Sequence, residues 1–274
     1  MDLRVALLDM NDGHPNQGMR CIREIVWHWS AMHRHNIQLD EFDVRQKNEL
    51  PDLSYDIYIS SGGPGSPLES VDEDWDKNFC QWVNKVEDYN KSVDQYPKKH
   101  VFFICHSYQL ACRYYGLAKV SERKSMSFGV FPMHRTEEAF NEPVFDGLQD
   151  PFYAVDSRSF QVTEPNEAVI EQMGAQILAI EKDRPHVPYD RAVMAIRFND
   201  YFIGTQFHPE ADAIGMSMHL QTPDKKQSVI ENHGEAKWHS MIEQLNDPDK
   251  IMFTYSHILP NFLNIAAGAM IEAA

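Results

Sequence analysis

Cys105 ends an apolar run, Val101-Phe102-Phe103-Ile104. It is followed by His106-Ser107-Tyr108-Gln109 and then by apolar residues at helical spacing, Leu110, Ala111, Tyr114, Tyr115 and Leu117. This pattern predicts a buried strand that turns sharply into a helix, with the thiol at the bend. A cysteine so placed stands clear of the sheet, beside backbone N–H groups left free at a helix N-terminus. Those groups favour thiolate and can hold a developing oxyanion. Far downstream, Phe207-His208-Pro209-Glu210 closes a second run, Tyr201-Phe202-Ile203-Gly204-Thr205-Gln206. An imidazole and a carboxylate two residues apart at a strand end can supply the thiol's base and the group that orients that base. The chemistry implied is covalent catalysis by sulfur.

Positioning these groups requires a particular scaffold. Strand-like runs at 5–9, 56–60 and 101–105 alternate with helix-like segments at 18–32 and 74–89. The alternation predicts an α/β fold, an open and mostly parallel doubly wound sheet with helices on both faces. Ligands in such sheets bind at the carboxyl ends of the strands. Gly62-Gly63 follows one strand and Cys105 ends another, so both fall on that edge. Residues 128–207 are richer in short strand-like pieces, at 152–155, 160–162, 177–180, 192–197 and 201–207, with a hairpin turn at Asn199-Asp200. Beyond Glu210, helical spacing at 236–245 and an apolar run at 258–265 predict a C-terminal helical extension packed on the core. We divide the chain into a catalytic domain at 1–215 and this extension at 216–274.

Composition narrows the function further. The 274 residues carry 25 Lys plus Arg against 41 Asp plus Glu, a net charge of −16, which argues against non-specific binding to nucleic acid or an anionic membrane. No run reaches membrane-span length, and the apolar stretch near Met1 is too short for a signal sequence. The four cysteines, at 21, 80, 105 and 112, have neither metal nor redox-pair spacing. An unprotected thiol at a reactive bend fits the reducing cytoplasm. The histidines, such as His28, His33 and His35, do not place three ligands on one face, so no metal and no cofactor is expected. The acidic stretch 69–76 and Lys98 and Lys99 read as solvated helix ends. The thirteen methionines and the pair Trp27 and Trp29 read as core.

Three blocks together carry a resemblance to the class I glutamine amidotransferases, a family with a Cys-His-Glu triad on a flavodoxin-like sheet. Ser60-Ser61-Gly62-Gly63-Pro64-Gly65-Ser66-Pro67 resembles its oxyanion loop, Ile104-Cys105-His106-Ser107-Tyr108-Gln109 its elbow, and Gly204-Thr205-Gln206-Phe207-His208-Pro209-Glu210 its His/Glu strand end. The resemblance covers roughly residues 3–215 and includes the amidotransferase part of GMP synthase. It implies that Cys105 attacks the glutamine carboxamide, His208 shuttles protons, and Glu210 orients the imidazole. It further implies that Gly63 and His106 offer backbone N–H groups to the oxyanion, and that Gly62, Gln109, Ser157 and Arg158 meet the substrate. The product would be glutamate, with ammonia for a separate ATP-dependent synthetase, since no Walker lysine motif or pyrophosphatase-type Asp-Ser occurs in the chain.

The chain also departs from the family's pattern. Phe103 and Ser107 stand where the elbow usually has glycine, and Arg158 and Phe160 stand where the family's substrate strand has His and Asp. These residues support a second reading, a γ-glutamyl or other amide hydrolase, or an acyltransferase, on the same triad. Arg158 in particular suits a more acidic acyl donor. A third reading is a non-catalytic regulatory or binding protein with a vestigial site.

Overall fold

A computed structural model describes residues 2–186, 188–245, 247 and 250–272. In chain order the elements are β1 (Asp2–Asp9), α1 (Gln17–His33), β2 (Asn36–Asp43), β3 (Ile57–Ser60), α2 (Asp74–Lys91), β4 (His100–Ile104), α3 (His106–Tyr115), β5 (Ala118–Arg135) and β6 (Phe152–Pro165). They continue with α4 (Glu167–Met173), β7 (Gln176–Glu181), β8 (Val193–Arg197), β9 (Phe202–Thr205), α5 (Ala213–Gln221), α6 (Pro223–His233), α7 (Glu235–Leu245) and α8 (Ile251–Glu272). One sheet takes the order β2-β1-β3-β4-β9-β8-β7-β5-β6. The five strands from β2 to β9 are parallel, and the pairings beyond β9 are antiparallel.

The parallel half is buried on both faces, which is why its strands read as continuous apolar runs. Leu3, Val5, Leu7, Ile57, Ile59, Phe102 and Ile104 meet α1 and α8 on one side. Ala6, Leu8, Tyr58, Val101, Phe103 and Phe202 meet α2 and α3 on the other. Phe262 of α8 packs edge-on to Phe102, ring centroids 5.2 Å apart, and Asn264 accepts from Trp29 Nε1 at 2.7 Å. The apolar run at 258–265 therefore lies in a helix that covers the sheet itself. Four helices, α5–α8, follow Glu210 among the described residues. The first three lie over the β5–β6 hairpin, with Leu220, Val229, Met241 and Leu245 against Phe128, Val130 and Val155.

The antiparallel half was only partly legible. The expected runs at 152–155 and 160–162 are one strand, β6, and its partner β5 was not anticipated. The middle of β5, Ser121 to Ser127, is polar and half or fully exposed, and its register shifts between Glu122 and Ser127, so it shows no apolar alternation. β2 was missed for a related reason, because it is an edge strand rich in polar residues. The hairpin turn is where it was expected: Asn199 Oδ1 accepts from the N–H groups of Tyr201 and Phe202, at 3.0 and 2.9 Å.

Several surface assignments need correction. Trp27 is 49% exposed, whereas its neighbour Trp29 is buried. Met32, Met126, Met218 and Met252 are also exposed. Lys99 is buried, its Nζ 3.5 Å from Asp56. Asp76 is 1% exposed. It accepts from Ser70 Oγ and pairs with Arg113, which also donates to the Pro67 carbonyl. This network ties α3 to the chain leaving the glycine loop. Asp76→Ala leaves Arg113 without its counterion, and the expected loss is about 3–5 kcal/mol. Urea denaturation checks it, with Asp76→Asn expected to lose less because the Ser70 hydrogen bond has an acceptor left.

Two buried histidines make the fold acid-sensitive. Burial, with Arg197 nearby, pushes His100 down to about 4, and burial with Arg45 and Arg113 pushes His106 down to about 3. Both stay neutral in the folded chain while the unfolded chain protonates near its ordinary value of about 6.5. Stability is therefore full above that value and falls as pH drops toward 4 and 3, by on the order of 2 kcal/mol per histidine at about pH 5. Denaturation midpoints at neutral and mildly acidic pH test this, and a flat profile would contradict it.

Candidate active site

The end of β4 delivers Cys105 in a backbone conformation that few side chains adopt, φ 49° and ψ −96°. Such a residue costs on the order of 1–3 kcal/mol and is held there by its surroundings. Cys105 N–H donates to Thr205 O at 2.7 Å, fixing the bend to β9. Ser107 Oγ accepts from Ile104 N and donates to Ser60 O, both at 2.9 Å. The serine that replaces glycine thus fastens the elbow to the end of β3. Phe103 has room because the facing position on β9 carries no side chain. It pairs with Gly204, where an added Cβ would lie 3.1 Å from Phe103 Cβ and 2.9 Å from Tyr108 Cδ2, and its ring packs among Phe79, Phe198 and Phe202.

His208 follows β9 and is pinned by its N–H to Val155 O of β6, at 2.8 Å. Its Nδ1 lies 2.8 Å from Glu210 Oε1, and the ring shares a cleft with Cys105. Burial alone would lower the imidazole's pKa. The opposing charge of Glu210, and then the Cys105 sulfur, outweigh it and hold His208 well above its ordinary value. Glu210 is buried beside the N-terminus of α1, whose dipole favours a carboxylate, and a Cβ on Gly18 would come within 3.0 Å of its Oε1.

The glycine loop passes close by. A Cβ on Gly62 would lie 2.8 Å from His208 Cε1 and 3.4 Å from Cys105 Cβ, and one on Gly63 would lie 2.0 Å from the Met10 carbonyl oxygen. Only glycine fits either place. His106 is the first residue of α3, where the N–H has no acceptor within the helix; its side chain is buried near Trp75. A cleft of about 490 Å³ joins Gly63, Cys105, Gln109, Ser157, Arg158 and His208.

The structure thus brings together Cys105, His208, Glu210, Gly62, Gly63 and Ser157, whose carbonyl is 3.7 Å from the sulfur. Gln109 reaches the cleft with its amide nitrogen already shared between Phe160 O, at 3.3 Å, and Gln206 Oε1, at 3.1 Å. Arg158 lines the cleft, but its charge is committed to Asp156, at 2.9 Å, and Glu181, at 3.3 Å. The two acids fix the guanidinium in place, and Glu181 also pairs with Arg123 and Arg184. Two residues were missed. Gln206 directs its amide at Cys105 Sγ, 3.6 Å away, and Arg45 holds the Pro64 carbonyl and stacks on Trp75. Gln206 had a signal, its place two residues before His208. Nothing local marks Arg45.

With this geometry in place, comparison with known proteins is informative. The pattern of the family described as Glutamine amidotransferase class-I matches residues 21–220. No curated protein matches the chain. A glutamine amidotransferase from Thermotoga maritima superposes with TM-score 0.67 at 14% identity, covering 96% of this chain and 98% of that one. A Thermoplasma acidophilum protein, proposed to be one of the subunits of a GMP synthase, gives TM-score 0.58 at 14% identity, covering 99% and 98%. The glutaminase domain of Trypanosoma brucei CTPS, with bound acivicin, gives 0.58 at 14%, covering 97% and 94%. At these identities the structural likeness concerns the fold.

Proposed function

Because the chain belongs to the glutamine amidotransferase class-I family, we propose that it hydrolyses a γ-glutamyl amide through a thioester on Cys105, with glutamine as the reference substrate. The observation that carries this reading is the Cys105 thiol at a strained bend, on one cleft with an imidazole whose Nδ1 is 2.8 Å from Glu210. The sulfur attacks the carboxamide carbon while the N–H groups of Gly63 and His106 receive the oxyanion. His208 protonates the departing nitrogen, then takes a proton from the water that opens the thioester. Glu210 keeps the imidazole in the required tautomer. Gly62 leaves room for the ring, and Gln109, Ser157 and Arg158 shape the cleft for the acyl part.

The catalytic unit in this reading is residues 1–215, with 216–274 as its helical extension. The ammonia released from glutamine passes to a separate ATP-dependent synthetase, as the GMP synthase and CTPS neighbours suggest, in a reducing cytoplasm. The test is release of glutamate and ammonia from glutamine by the purified chain, alone and with candidate synthetases, beside His208→Ala. Release that is lost in the variant supports the reading. Equal release by both would overturn it, and so would silence together with an unreactive Cys105.

A further inference from the structure

A second cleft, of about 380 Å³, opens on the other side of His208. It meets the acyl cleft at Asn16, Ser157 and His208, which line both. Its walls are mainly apolar: Cys21, Phe128, Val155, Ala211, Met216 and Met218. Resting on the thioester reading above, we propose that this cleft is a subsite for the amine half of the substrate. The enzyme then acts on γ-glutamyl amides whose nitrogen carries an apolar alkyl or aryl group without a carboxylate.

The argument begins with where the leaving group must be. When sulfur attacks the carbonyl carbon from the acyl cleft, the C–N bond breaks beside His208, which protonates the nitrogen. Any substituent on that nitrogen therefore points past the imidazole, where the second cleft begins. Ammonia needs only about the 30 Å³ of a water molecule, whereas this cleft falls in the range of about 300–1,000 Å³ typical of small-molecule sites. Apolar walls favour a hydrocarbon substituent.

Charge narrows the class. Glu210 lines this cleft and not the other, and its Oε2 is buried without a hydrogen-bond partner. Asp212 lines it as well, held by Arg20 at 2.8 Å, and the His208 imidazole on the same wall is paired with Glu210, so no lining residue offers an unpaired cation to an anionic group. An amine part with a carboxylate, as in a γ-glutamyl amino acid, meets two acids at the wall and no cation left over to pair with it. The reaction balances as a hydrolysis: S–C forms as C–N breaks and the amine departs with the His208 proton. Water then opens the thioester and returns the thiol. A free apolar amine can replace that water and re-form the amide.

The experiment compares kcat/KM for glutamine, γ-glutamyl phenethylamide and γ-glutamylphenylalanine with the wild-type chain and with Met216→Trp, which fills the second cleft. We expect the phenethylamide to exceed both other substrates by at least about tenfold, and Met216→Trp to reduce the phenethylamide-to-glutamine ratio at least about fivefold. Turnover of glutamine with a phenethylamide ratio at or below one overturns this inference and leaves the glutaminase reading standing. A ratio unchanged by Met216→Trp, or γ-glutamylphenylalanine turned over as well as the phenethylamide, overturns it too. Silence on all three amides with Cys105 unlabelled by a glutamine-like electrophile defeats both readings.

Discussion

Cys105→Ala is expected to bring amide turnover down to the uncatalysed background, a fall of about a millionfold, the scale seen when the nucleophile of a cooperating triad is removed. The substitution keeps the elbow's backbone and removes only the sulfur and its two long contacts, to Gln206 Nε2 and Ser157 O. The folded state and its denaturation midpoint should therefore change little. A glutamine-like electrophile provides a second readout. Burial pushes Cys21 up to about 12 and Cys80 up to about 11, and it raises Cys112 as well, so these thiols stay protonated near neutrality. The wild-type chain should take one label, at Cys105, and the variant none. Turnover in Cys105→Ala within tenfold of wild type would sink the assignment.

Glu210→Gln carries the second largest expected effect. The amide preserves the shape of the carboxylate but loses the charge that outweighs burial at His208. Once burial dominates, the imidazole surrenders its proton at a lower pH and no longer protonates the leaving amine efficiently. The expected loss in kcat is about 10³–10⁴-fold, the range found when the orienting acid of a triad is neutralised. The sign of the pH effect follows from the same charge. The alkaline limb of kcat/KM, where His208 loses its proton, should move to lower pH in the variant. An unmoved limb would show that Glu210 does not set the state of His208, whatever happens to the rate.

The two variants probe residues whose pattern was visible in the chain, and the reason is physical. An elbow needs a strand, a bend and a helix in immediate succession, so its pattern is written within a few residues of Cys105. His208 and Glu210 are two apart because one strand end must present both to one side. The parallel strands were legible because burial on both faces demands uninterrupted apolar runs. β5 and β2 were not, since exposed or edge strands can be polar without penalty.

Short-range patterns therefore marked the parallel strands and their helices, the carboxyl edge where the glycine loop and Cys105 lie, and the three side chains proposed as catalytic. Tertiary structure decided which charges are compensated and what space surrounds the imidazole. Asp76 looked like one acid in a solvated run until α3 brought Arg113 to it, and Arg158 looked like a free cation until Asp156 and Glu181 closed on it. Phe103 is acceptable because Gly204, opposite it on another strand, leaves room for its side chain. Gln206 reaches a sulfur 101 residues away in sequence, and the second cleft is assembled from α1, β5, β6 and α5. Periodicity constrains each segment against solvent, whereas charge pairing and cavity shape depend on which distant segments meet, and only the folded chain settles that.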